Sequence, residues 1–97
     1  MPEYVRIAKF DADEAALDSL VGEISSHDGP PDGIAAKRII VLADRAAGKV
    51  QVVVRFGSEA DLKQGSAVLE QMTPPADANM HRTGVESWEV VLERDAP

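Results

Sequence analysis

The 97-residue chain contains no cysteine, carries only two phenylalanines, one tryptophan and one tyrosine, and has no apolar run near the roughly twenty residues a membrane helix needs. The lack of cysteine excludes disulfides, thiolate chemistry and cysteine metal sites. Met1-Pro2-Glu3-Tyr4 has neither the basic nor the apolar region of a signal peptide, so a cytoplasmic location is expected. Lysine and arginine are missing from Asp11 to Ala36, a segment that holds seven acids: Asp11, Asp13, Glu14, Asp18, Glu23, Asp28 and Asp32. The rest of the chain balances ten acids with ten bases, so the net charge of −7 resides in that one segment. Such a surface repels a phosphate backbone, and no basic nucleic-acid footprint occurs elsewhere. Also missing are Gly-x-Ser-x-Gly, a phosphate-cradling glycine loop and a dinucleotide fingerprint.

The segment that organises the chain is Lys49 to Met72, where a period of two turns into a period of 3.6. Val50, Val52, Val54 and Phe56 share one side of a strand, and Gln51, Val53 and Arg55 share the other. Ser58 then suits an N-cap with Asp61 as its capping-box acid, placing the helix start at about Glu59. Leu62, Ala67, Val68, Leu69 and Met72 form its apolar stripe, and Pro74-Pro75 ends it. Gly65 either weakens this helix slightly or admits a close neighbour.

A similar unit opens the chain. Tyr4 to Phe10 alternates as a strand, Asp11 with Glu14 reads as a capping box, and Leu17, Leu20, Val21 and Ile24 trace a helical face. Glu14 and Asp18, four residues apart on that helix, repel one another slightly, and the segment reads as a solvated face or a docking surface for a basic partner. His27 to Gly33 is a loop by composition. Lys37 to Ala43 is nearly all apolar and is expected to be covered on both faces. Asp44 to Gly48 makes a hairpin connection with Gly48 at positive φ. Thr73 to Met80 is a connection, Arg82 to Leu92 is the last strand, and Glu93 to Pro97 is expected to fray.

The order is βαββαβ in one domain spanning residues 1–97. Right-handed crossovers then predict an α+β, ferredoxin-like arrangement: a four-stranded antiparallel sheet with both helices on one face. The other face, carrying Arg55 among aliphatic groups, is left uncovered, and such a face usually meets something. It lacks the exposed inner-strand aromatics that RNA stacking requires.

The order, the length, the Phe56-x-Ser58-Glu59-x-Asp61-Leu62 junction, the Val68-Leu69-x-x-Met72 helix end and the Val85-Glu86-Ser87-Trp88-Glu89-Val90 strand resemble the dimeric α/β-barrel superfamily. That resemblance implies a homodimer whose sheets pack face to face and a cleft between sheet and helices for a small organic ligand. Within it, the chain is similar to antibiotic-biosynthesis monooxygenases, which oxidise aromatic polyketides without metal or flavin, so no cofactor is expected. Arg6 and Ala8 occupy the first strand where such enzymes place an asparagine, so their catalytic set does not carry over.

The candidate site residues are four. Trp88 either fills the core or dimer seam with its indole N–H on a carbonyl, or stacks on a ligand. His81, placed just before the last strand, is a candidate base at the cleft mouth, against the plainer reading of a solvated loop histidine. Arg6 and Arg55, on the two central strands, either gather an anionic ligand or pair with Glu86 and Glu89, and pairing is the expectation. His27 with Asp28 and Asp32 matches no metal-ligand spacing, so no metal site is assigned.

Overall fold

The structure is a computed structural model that describes residues 2–26, 34–71 and 80–96. Its elements are β1 (Glu3–Ala12), α1 (Glu14–Ser25), β2 (Ala36–Asp44), β3 (Lys49–Phe56), α2 (Glu59–Gln71) and β4 (Met80–Val90). The strands form one antiparallel sheet in the order β2-β3-β1-β4, so the expected ferredoxin-like α+β topology is present. The His27–Gly33 loop, the Pro74-Pro75 helix stop and the connection up to Asn79 lie outside the described residues, as does Met72.

Alternation assigns the two faces. Val50, Val54 and Phe56 of β3 and Arg6, Ala8 and Ala12 of β1 are buried beneath the helices. Two apolar clusters hold the layers together. One joins Ala16 and Leu17 of α1 to Ala12 and Val50, and the other joins Leu62 of α2 to Ile34, Val54 and Phe56. Phe56 is fully buried, and α2 lies close upon it because Gly65 presents no side chain there; a Cβ at that position would stand 2.4 Å from Phe56 Cε1. Of the two roles expected for Gly65, the close approach is thus the one realised.

The local signals hold well around β3. Ser58 Oγ accepts from the Asp61 amide at 3.1 Å, α2 starts at Glu59, and Gly48 closes the hairpin at φ +68° with its carbonyl accepting from the Ala12 amide at 2.9 Å. Four expectations are corrected. The α1 cap is Asp13, whose Oδ1 accepts from the Ala16 amide at 2.8 Å, because β1 stays paired through Ala12 and holds Asp11 in the ladder beside Lys49. β2 is an edge strand and is covered on one face only, leaving Ile40 and Leu42 exposed. β4 begins at Met80 and ends at Val90, so His81 belongs to the strand and Leu92 does not. Finally, Glu93 does not hang free, because Arg55 bonds both its carboxylate oxygens.

Candidate functional site

Gly65 seats α2 over β1 and β3, with β4 at the sheet edge beside β1. The space between α2 and β4 is a cleft of about 460 Å³. That is within the usual size of small-molecule sites, roughly 300–1,000 Å³. The α2 wall is Glu59, Leu62, Lys63 and Ser66, which recur at the spacing of a single helical face. Tyr4 and the β4 residues Ser87, Trp88 and Glu89 complete the lining.

The Tyr4 hydroxyl donates to Glu59 Oε2 at 3.2 Å, and Lys63 Nζ stands 3.0 Å from Glu59 Oε1. Desolvation, the bond to Glu59 and the negative charges of Glu59 and Glu89 all push the Tyr4 phenol up, so it stays a hydrogen-bond donor across the physiological range. Glu59 is held below the usual carboxylate range, first by Lys63 and then by the Tyr4 bond. Glu89 faces this pair across the ladder, opposite Tyr4.

An ionic group joins the next turn of α2 to β1 and β4. Arg6, 4% exposed, sends Nη2 to Glu70 Oε1 at 2.9 Å, and Arg82 grips both Glu70 oxygens at 2.9 and 3.1 Å. The Arg82 fork, followed by Arg6, keeps the Glu70 carboxyl below its ordinary range. Arg6 Nε is buried and has no hydrogen-bond partner.

The four predicted residues are not gathered in one site. Arg6 and Arg55 point to opposite faces, so they do not gather one anion, and neither pairs with Glu86 or Glu89. Arg55 instead donates to Glu3 Oε1 at 2.8 Å and to Glu93. His81 stands opposite Asp11 at the far end of β4 on the uncovered face, about 23 Å along the strand from Trp88 at a rise of roughly 3.3 Å per residue. Trp88 is 56% exposed, and its Nε1 donates to Glu86 Oε1 at 3.2 Å in place of the expected carbonyl. Its register opposite Val5 puts the indole on the uncovered face, although Trp88 also borders the cleft between Ser87 and Glu89. Among the described residues no group of three or more histidine and acidic side chains is placed to hold a metal ion.

Sequence reasoning missed Tyr4, Glu59, Lys63 and Ser66 as cleft residues. The available signal was the polar set at i, i+4 and i+7 on α2, which runs beside its apolar stripe.

Fold and cleft together define a small α+β protein with a ferredoxin-like sheet, an open lateral cleft under its second helix and one uncovered sheet face. No known protein family matches the chain, and neither does any curated protein.

Proposed function

We propose that this is a homodimeric α/β-barrel protein that binds a small organic ligand in the cleft between α2 and β4. The cleft carries the reading: it has ligand size, an apolar floor at Leu62, and polar groups that converge from a helix and a strand. The resemblance to the dimeric α/β barrels supports the same assignment. The cofactor-independent monooxygenase reading draws on Trp88 and His81, which sit at opposite ends of β4, and no observation favours it.

The dimer reading is supported by the uncovered face, where Val5, Ile7, Ile40, Leu42, Val53, Trp88 and Val90 align across four strands. The strands place four acids there (Glu3, Asp11, Asp44, Glu86) and four bases (Lys9, Arg38, Lys49, Arg55), and Glu93 on Arg55 and Lys37 on Glu3 add one charge of each sign, so this face is neutral on a chain of net charge −7. Two copies can therefore meet there without the repulsion their overall charge would impose.

Light scattering at micromolar concentration is expected to give twice the chain mass; the chain mass itself would refute the dimer. For the ligand, amide chemical shifts are followed while a panel of small organic acids, amides and amines is added. Perturbations centred on Glu59, Ser66, Ser87 and Glu89 are expected, and a panel that leaves them unmoved would refute the cleft as a binding site.

A further inference from the structure

We propose that the outer edge of β2 pairs with β2 of a second copy, antiparallel about Val41, so that two four-stranded sheets join into one. This contact uses a different surface from the face-to-face packing proposed above and goes beyond it.

β2 ends the sheet, and among the described residues no backbone group bonds to its outer side. A free row of N–H and C=O groups is a template for another strand unless charge, proline or a bulge blunts it. β4, the other edge, is blunted: Thr83 bulges from its ladder with β1, and Arg82, Glu86 and Glu89 punctuate it. β2 is not. Its irregularity is at Lys37, and from Arg38 to Asp44 it pairs regularly, with the uncharged run Ile39 to Ala43 between a base and an acid. Those two charges choose the partner. On the uncovered face Glu3, Lys9, Asp11, Lys49, Arg55 and Glu86 are all in ion pairs, whereas Arg38 and Asp44 are in none among the described residues. Glu93 feels the charge of Arg38 but gives both oxygens to Arg55. Lys49, beside Asp44 in the ladder, turns to Asp11, and Asp44 Oδ1 accepts from the Ala47 amide at 3.1 Å. Arg38 and Asp44 stand three residues either side of Val41. An antiparallel β2 centred there sets each arginine directly opposite the other copy's aspartate, and each Ile40 opposite a Leu42. Opposed residues share a face, which puts these pairs on the uncovered side while Val41 meets its counterpart on the helix side. The twofold axis is perpendicular to the sheet, so the two uncovered faces become one. A contact of one short strand per copy is small and therefore weak, and it fills above the micromolar range in which the face contact is read.

The test uses the full chain carrying Val41→Cys, since the protein has no other cysteine and Val41 is on the covered side, away from any face-to-face contact. Under mild oxidation at submillimolar concentration a disulfide-linked dimer is expected on a non-reducing gel, because opposed residues bring their Cα atoms within disulfide reach. Ala43→Cys, more exposed on the same side of β2, is the control: its counterpart lies about 13 Å along the strand, and random collision favours it over Val41. Adding Arg38→Asp to Val41→Cys sets acids opposite one another and is expected to cut linkage by about tenfold; Arg38→Asp/Asp44→Arg, which exchanges the charges, restores it. Circular dichroism checks that each variant is folded. Equal linkage through Val41→Cys and Ala43→Cys, no linkage through Val41→Cys, or linkage indifferent to Arg38→Asp overturns the edge pairing. If the parent stays at the chain mass at micromolar concentration while Val41→Cys links, the face contact falls and the edge stands; a dimeric parent without that linkage gives the reverse.

Discussion

Two glycines in the two helices have opposite surroundings, and their alanine variants are expected to move stability in opposite directions. At Gly65 a Cβ would stand 2.4 and 2.7 Å from the ring of Phe56, which is fully buried. Alanine gains up to about 1 kcal/mol in helix propensity, whereas overpacking a core costs about 1–3 kcal/mol, so Gly65→Ala is expected to destabilise. At Gly22, inside α1, nothing lies within 4 Å of the added carbon. Gly22→Ala should stabilise by about 0.5–1 kcal/mol, the backbone entropy gain alone. Urea unfolding midpoints for the two variants decide the matter: a stabilised Gly65→Ala would mean that α2 does not rest on Phe56. The sequence makes the presence of Gly65 in a helix conspicuous, but the ring above which it lies is set by how α2 crosses β3. That crossing is a tertiary property.

The α1 cap illustrates what local pattern can and cannot reveal at the level of elements. Asp11 and Asp13 both stand before an apolar helical face, and Asp11 has the better capping-box spacing to Glu14. Pairing of β1 with β3 and β4 through Asp11 decides for Asp13, because a residue held in a ladder cannot turn back onto a helix. Asp13→Ala is therefore expected to cost about 1 kcal/mol in chemical unfolding, whereas Asp11→Ala loses only an exposed pair with Lys49 and stays within about 0.5 kcal/mol. A larger loss at Asp11 would restore the capping box. The α2 cap at Ser58 was legible because Gly57 ends β3 cleanly one residue earlier. Glu70 ties α2 to two strands, and no local signal announces this, since its partners Arg6 and Arg82 lie 64 and 12 residues away. Its depressed carboxyl gives stability that is present above the ordinary carboxylate range, about 4.3, and is lost as pH falls through the folded value. The urea midpoint of Glu70→Gln should then change less than that of the parent between pH 6 and 3; parallel curves would show that Glu70 contributes nothing to acid sensitivity.

For the whole molecule, the uncovered face explains why the sequence read β2 as covered on both sides. Ile39-Ile40-Val41-Leu42 is the pattern of a strand with no wet face, yet within one chain Ile40 and Leu42 are 40% and 49% exposed. In the proposed dimer, a second copy packed on the sheet would supply the missing cover. Charges bound the apolar rows at both ends: Lys9 with Glu86 and Lys49 with Asp11 at one, Arg55 with Glu3 and Glu93 at the other. These pairs satisfy their own charges, so in the proposed dimer association would rest on the apolar middle. Each large aliphatic side chain transferred from water contributes about 1.5–3 kcal/mol, and placing a charge among them reverses the sign. Leu42→Glu is therefore expected to give a monomer in light scattering with unchanged circular dichroism, because Leu42 takes no part in either core cluster of its own chain. Val21→Glu, an equally exposed apolar position on α1, should leave the dimer intact and serves as the matched control. If Leu42→Glu stays dimeric while Val21→Glu dissociates, the helical face holds the copies together, and the sheet must find its cover in another partner.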